Sequence, residues 1–333
     1  MNFGVVGTNA ITDLFINAAK GNPAFRLAAV YSRTEDRAKA YAGAHDGARP
    51  YWDFEAFCAD PGIDAVYVAS PNACHCGQTV ALLKHKKHVL CEKPIASNAR
   101  ELRAMLDQAA ASGRVMAEAI RPLYSPHLQI LKEKIAQIGP VRFANIQFCQ
   151  YSTRYESYQR GLRPNAFNPL LSNGAVMDLG VYCVYLAVLL FGEPADIRAS
   201  ALILPGSIDA AGCAQLTYPD LVACIQYSKV SQGAGKSEIQ GEKGSVLFDR
   251  PSVLKGIEVV VRGERTPFPD LFEEPGDMRY ELDAFIRFIE NNASAERDGA
   301  VREANRASLA VMRTLDKIRA ASGIRFRADD SID

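Results

Sequence analysis

The chain has 333 residues, of which 48% are hydrophobic and 23% charged, enough to bury two sizeable cores in an ordinary globular protein. Lysine plus arginine and aspartate plus glutamate both total 38, so the formal net charge is +0 and no electrostatic footprint for nucleic acid or an anionic membrane is expected. The start MNFGVVG lacks a signal-peptide pattern, the longest apolar run (AVLLF, 187–191) falls short of a membrane span, and eight cysteines are too dilute for a disulfide scaffold. A reduced, cytoplasmic protein is expected.

From the amino terminus, short apolar runs alternate with segments of helical period. FGVVG (3–7) predicts a strand and AITDLFINAAKG (10–21) a helix; FRLAAVYS (25–32) and EDRAKAYAGAH (35–45) repeat the pair. IDAVYVAS (63–70), CGQTVALLKHKK (76–87), HVLCEK (88–93), NARELRAMLDQAAASG (98–113) and RVMAEA (114–119) continue it. Strands this apolar need helices on both faces, so residues 1–121 predict a doubly wound parallel sheet of Rossmann type. Cys74-His75-Cys76, taken as strand, point apart and have no second pair, so no metal is expected there.

Beyond Arg121 the texture changes. A helix at 124–139 and a strand at 141–151 lead into an irregular Arg/Tyr/Gly/Pro-rich stretch, 152–173, and then a buried helix at 174–192. Strands are expected at 195–204, 213–219, 221–230, 236–249 and 257–263, and closing helices at 277–291 and 302–322. Residues 122–333 thus predict an α+β domain on an open, mostly antiparallel sheet. The last residues, ADDSID, are expected to fray.

Ligands of a doubly wound sheet gather at the carboxyl ends of its strands, and four such ends carry candidates. GVVGTNAIT (4–12) places Gly7 in a tight turn and Thr8, Asn9, Ala10 and Ile11 at a helix start whose amides receive a pyrophosphate. Asn9 stands where the usual fingerprint has glycine, and its side chain takes room near the phosphate. YSRTEDR (31–37) offers Ser32 and Arg33 in place of the acid that holds the ribose of NAD, which favours the 2′-phosphate of NADP; Glu35 or Asp36 is the fallback for NAD. ASPNACH (69–75) supplies Ser70, Pro71, Asn72 and His75 against the cofactor.

VLCEKPIA (89–96) ends the next such strand with Glu92 and Lys93. Pro94 restricts Lys93 to extended angles, in cis or trans, and aims an ammonium at negative charge developing on a reacting oxygen. In NGAVMDLGVYCVYL (173–186), Asp178 and Tyr182 are four apart and share a helix face. Tyr182 is a candidate general acid/base when Lys93 lies near enough to favour its phenolate. Arg121 and Tyr158 are further candidates at the cofactor and substrate border.

Together, GVVGTNAIT, ASPNACH, EKP, D-x-G-x-Y (178–182) and YELDAFIRFIE (280–290) resemble the glucose–fructose oxidoreductase / inositol dehydrogenase (Gfo/Idh/MocA) family, nearest its dimeric dihydrodiol dehydrogenase and NADP-xylose dehydrogenase-like branch. The resemblance implies catalytic Lys93, Asp178 and Tyr182, with tyrosine where many members have histidine. It implies hydride transfer between NADP(H) (NAD possible) and the CH–OH/C=O group of a sugar, polyol or trans-dihydrodiol, in a homodimer or homotetramer formed through the C-terminal sheet. The same fold also hosts NAD-retaining lyases or glycosidase-like enzymes and nicotinamide-binding regulators, which stand as alternatives.

Overall fold

The computed structural model describes residues 1–45, 47–272, 276–291 and 299–330. In chain order the elements are β1 (Asn2–Val6), α1 (Ala10–Ala19), β2 (Arg26–Tyr31), α2 (Glu35–Gly43), β3 (Arg49–Tyr51), α3 (Phe54–Ala59), β4 (Ala65–Val68), α4 (Asn72–Lys84), β5 (His88–Glu92), α5 (Ala99–Ser112) and β6 (Met116–Ala119). There follow α6 (Arg121–Tyr124), α7 (Pro126–Ile135), β7 (Val141–Cys149), α8 (Arg154–Gln159) and a π-helical turn (Val176–Gly180) that runs into α9 (Val181–Phe191). Strands β8 (Asp196–Leu204), β9 (Ile208–Thr217), β10 (Val222–Ser228), β11 (Ser237–Gly241), β12 (Gly244–Asp249), β13 (Lys255–Val261) and β14 (Glu264–Pro267) complete a second sheet. The chain closes with α10 (Met278–Asn291), α11 (Gly299–Ala321) and α12 (Arg327–Asp330).

Two compact units result. The first holds 1–96, 100–120 and 274–306. Its six strands run in the order β3-β2-β1-β4-β5-β6, every neighbouring pair parallel. Strands β4 and β5 are buried at every residue, which accounts for their unbroken apolar runs. The strand order reverses beside β1, so the crevice for a ligand opens at the carboxyl ends of β1 and β4. The three-residue β3 escapes sequence reading because Arg49-Pro50-Tyr51 carries a proline, tolerated here at the sheet edge.

A single cut at residue 121 would place α10 in the second domain, yet it packs in the first unit. Met278, Leu282, Phe285 and Ile286 join one core with Phe3, Val5, Phe15 and Tyr67, Phe285 meeting Phe3 edge-on at 6.3 Å. Asn22 donates to Asp283 at 2.7 Å on the rim of that contact.

The second unit holds 97–99, 121–273 and 307–333. Its eight strands are ordered β14-β13-β12-β11-β7-β10-β9-β8. Only β7 and β10 pair parallel; the other neighbours are antiparallel. The single strand expected at 236–249 is a hairpin, β11 and β12, turning at Glu242-Lys243. Helix α9 packs on β7 and β10, and residues 181–188 are all buried. Within the helical stretch Pro169–Phe191 an 18-residue window has a mean hydropathy of 2.0, long and apolar enough to span a membrane by composition. This corrects the shorter apolar run read from sequence; 72% of that window is buried, which explains the composition as core.

Residues 97–99 are held within this unit at three points. Ser172 Oγ donates to Ser97 Oγ at 2.8 Å, Asn98 Nδ2 to Asp329 at 3.1 Å, and the Ala99 amide to Asp316 at 2.9 Å. Buried Arg319 binds the same Asp316 and Asp329, at 2.7 and 2.6 Å. Ala328-Asp329-Asp330, expected to fray, therefore forms a tethered turn of helix; residues 331–333 lie outside the described ones.

Candidate active site

In the first unit the β1–α1 turn is built around two residues. Gly7 has φ +106°, and a Cβ there would lie 2.5 Å from the Ala69 carbonyl oxygen, so only glycine lets β1 and the end of β4 approach. Asn9 has extended angles (φ −114°, ψ 175°). Its side chain caps α1, accepting from the amides of Ile11 (3.1 Å) and Thr12 (3.2 Å), while Nδ2 donates to Ala69 O at 2.7 Å. Asparagine thus replaces the fingerprint glycine by a tether to β4. The amides of Ile11 and Thr12 go to that cap.

At the end of β2, the Ser32 amide bonds Tyr51 O at 3.0 Å and Arg33 is exposed. One turn on, Arg37 donates from Nε to Thr8 Oγ1 (3.0 Å) and from Nη2 to Thr8 O. Arg37 was not singled out from sequence, although its position four after Arg33 on a predicted helix was visible. The pinned cradle at Gly7 and the Arg37 guanidinium on Thr8 fit a dinucleotide phosphate, with exposed Arg33 a further candidate for its charge.

At the end of β5, Glu92 accepts from Tyr67 Oη at 2.5 Å and from the Lys93 amide at 3.1 Å. Glu92 is therefore an anchor for the turn. The Lys93–Pro94 peptide is cis, and Lys93 is half-buried. His75, only 1% exposed, has Nε2 2.8 Å from Ser70 O and Nδ1 2.9 Å from Pro94 O. Burial lowers its pKa, opposed by those two carbonyls. Both ring nitrogens are thus committed to backbone. The His75 ring joins the 70–72 turn to the lysine turn. Ser70 Oγ donates to Gln78 at 2.6 Å; Pro71 precedes α4 and Asn72 begins it, largely buried. Cys74, His75 and Cys76 lie in the first turns of that helix, not on a strand.

In the second unit Asp178 sits in the π-helical turn and Tyr182 in the first turn of α9. π-turns recur at functional sites because they re-aim side chains within a helix. Tyr182 is 6% exposed, with Phe148 edge-on at 5.8 Å. Asp178 pairs through Oδ2 with Lys229 Nζ at 2.8 Å. At the helix start, Asp209 Oδ2 accepts from the Val176 amide at 2.7 Å. Gly174 is required there because a Cβ would fall 1.7 Å from Asp209 Oδ1. Burial raises the Asp209 pKa from 3.8 to about 6, opposed by the Val176 amide and the Lys229 charge. Arg121 opens this unit as the first residue of α6. The Tyr158 hydroxyl donates to Pro205 O at 2.6 Å and its ring stacks with Tyr155 and Phe167.

Lys229 and Asp209 were missed by sequence reading. Lys229, closing the apolar run LVACIQYSKV, carried a weak signal; Asp209 carried none, its partner lying 33 residues away.

A doubly wound sheet with a pinned glycine turn, a lysine at a strand end and an Asp/Tyr helix defines a class, the dinucleotide-dependent oxidoreductases. Residues 1–119 match the oxidoreductase family with NAD-binding Rossmann fold (GFO/IDH/MocA), and 129–247 match the GFO/IDH/MocA C-terminal domain. The chain belongs to this family. It is 38% identical over 331 residues to the scyllo-inositol 2-dehydrogenase (NADP(+)) of Bacillus subtilis, covering 99% of this chain and 100% of that one. It is 28% identical to human trans-1,2-dihydrobenzene-1,2-diol dehydrogenase over 81% of this chain and 80% of the other. The fold superposes with TM-score 0.83 on an aldose-aldose oxidoreductase from Caulobacter crescentus, at 22% identity over 97% of each chain. A 3-ketoreductase from Actinomadura kijaniata, solved with NADP and TDP-benzene, gives TM-score 0.83 at 21% identity over 97% of this chain and 98% of that one.

Proposed function

We propose that the protein is a cytoplasmic NADP-dependent dehydrogenase of a cyclic polyol or sugar, with inositol-type polyols as the first substrates to try. The observation that carries the reading is an ionic carboxylate, Asp178 paired to Lys229, one helical turn ahead of the buried phenol Tyr182. An ionised carboxylate only accepts hydrogen bonds, which suits a neighbouring substrate hydroxyl and disfavours an anionic group in its place.

In the oxidative direction Tyr182 takes the hydroxyl proton of the reacting carbinol. Asp178 accepts from an adjacent hydroxyl, and Lys93, in the first unit, is the proposed donor to negative charge developing on a reacting oxygen. Bound NADP⁺ supplies the hydride acceptor, so loss of one proton and one hydride turns CH–OH into C=O. Arg33 and Arg37 favour the 2′-phosphate, and NAD⁺ remains the weaker alternative. Eight unpaired thiols agree with a reducing compartment. Phe143 and Leu202, exposed on one face of the second sheet, support assembly of a homodimer or homotetramer through that face.

The test is titration of the purified protein with NADP⁺ and NAD⁺ separately, then nicotinamide absorbance with scyllo-inositol, myo-inositol, xylose, glucose and trans-1,2-dihydrobenzene-1,2-diol. Tighter NADP⁺ binding with turnover of at least one cyclic polyol or sugar is expected. Cofactor binding without turnover of any of the five would sink the reading.

A further inference from the structure

Lys229 is 2% exposed, and an ammonium is rarely buried so completely unless its neighbours compensate. Three do so here. Asp178 Oδ2 lies at 2.8 Å, Ala166 O accepts from Nζ at 2.7 Å, and the Phe167 ring centre lies 4.9 Å from the charge. The backbone of Lys229 is fixed as well, its amide donating to Ala210 O at 2.8 Å and its carbonyl accepting from the Ser152 amide at 2.9 Å. One residue thus ties β9, the start of the irregular segment, that segment's Ala166–Phe167 turn and the π-helical turn of Asp178.

A core that wanted only stability would be served as well by an apolar side chain of similar volume, since a buried pair seldom exceeds its desolvation cost. The pair sits at Asp178, whose side chain is still 33% exposed. The ammonium therefore faces the protein interior while its carboxylate partner reaches solvent. The aromatic turn is itself rigid: Phe167 stacks with Tyr155 at 5.7 Å and Tyr158 at 5.4 Å.

We infer that Lys229 is a positioning residue for the reaction, clamping the Asp178 carboxylate, ionised and at fixed height, to the aromatic turn at Ala166–Phe167 so that it accepts from a neutral polyol hydroxyl. The inference rests on the reading of Asp178 as a substrate-contacting residue. Lys229 acts only through Asp178, and its removal should matter only while that carboxylate is present.

The experiment is a double-mutant cycle on the full chain with NADP⁺ and scyllo-inositol, comparing wild type, Lys229→Met, Asp178→Asn and the double variant. Lys229→Met should lower kcat/KM by about fiftyfold, chiefly through KM, with the Kd of NADP⁺ unchanged within about twofold. In the Asp178→Asn background the same substitution should change kcat/KM by less than about threefold, because the charge it served is already gone. Multiplying losses, an undiminished kcat/KM in Lys229→Met, or NADP⁺ binding weakened as much as turnover would each overturn the inference. Should Lys229→Met alone not fold, the comparison of Asp178→Asn, whose ammonium keeps Ala166 O and the Phe167 ring as partners, with the double variant, which carries neither charge, decides. A change beyond about threefold in that comparison overturns the inference and a smaller one supports it. Wild-type protein that turns over none of the polyols or sugars overturns the dehydrogenase reading, and this inference with it; normal wild-type turnover with multiplying losses overturns this inference alone.

Discussion

Replacing Asp209 by asparagine should flatten the pH dependence of unfolding by a calculable amount. Burial lifts the carboxyl of Asp209 to about 6 from an ordinary 3.8. The native state therefore holds a proton that the unfolded chain releases about 2 units lower. The stability contributed is fully present below the unfolded value and is lost as pH rises through about 6. Across the whole window the difference is about 3 kcal/mol, at about 1.4 kcal/mol per unit. Between about pH 7.5 and about pH 5 it amounts to about 1.4 kcal/mol. Asparagine keeps an amide oxygen for the Val176 N–H but cannot titrate. Urea unfolding of both proteins at the two pH values gives the difference of differences directly. Wild type should gain about 1.4 kcal/mol relative to Asp209→Asn on acidification. Equal slopes, or a relative loss by wild type, would refute the assignment of a raised carboxyl to this helix start.

Four other changes probe separate parts of the molecule. Gly7→Ala puts a methyl group 2.5 Å from Ala69 O at a φ of +106°, and titration should show NADP⁺ binding weakened by about tenfold or more; unchanged binding would remove this turn from the cofactor site. Arg37→Ala should cost NADP⁺ about ten- to hundredfold in affinity while leaving NAD⁺ within about twofold, and equal losses would mean Arg37 merely supports Thr8. Tyr182→Phe should lower kcat by about 10²–10⁴ with NADP⁺ affinity unchanged, and a drop below about tenfold would reassign the proton transfer. Phe285→Ala should destabilise the first unit by about 3–5 kcal/mol, read by calorimetry; a cost under about 1 kcal/mol would contradict the packing of α10 on Phe3.

Period and apolarity made most of the fold legible. Unbroken runs such as IDAVYVAS and VLCE reported burial on both faces, and the alternation of strand and helix reported the parallel sheet. Short or composite elements were harder to read. Arg49-Pro50-Tyr51 pairs only at an edge, and the hairpin at 236–249 has no glycine or asparagine in its two turn residues to announce itself. The irregular stretch 152–173 hid an aromatic cluster whose members meet only in three dimensions. Of the site, Gly7 was legible because a strand-to-helix junction dictates the residue type. Asn9 was legible as a departure, but not as a cap tied to Ala69, because that bond crosses 60 residues. His75 was visible as a residue, and only its two backbone partners reveal that the ring braces the turn. The pairing of Asp178 with Lys229 was invisible for the same reason: a helix and a distant strand end supply the two charges.

Residues 97–99 and helix α10 are each displaced in sequence from the body they belong to, the first by the stretch 100–120 and the second by more than a hundred and fifty residues. A gene that fused residues 1–121 to another protein would deliver the nucleotide sheet with Phe3 and Phe15 uncovered on the flank where α10 lies. Such a cassette should be sticky and poorly folded. A workable chimera has to be an insertion: the 121–273 segment exchanged between relatives as an interior block, with the late helix carried along by the recipient. Recombination across this architecture would thus preserve the nucleotide-binding frame and vary what is threaded through it, so new specificities would arise without a new cofactor fold.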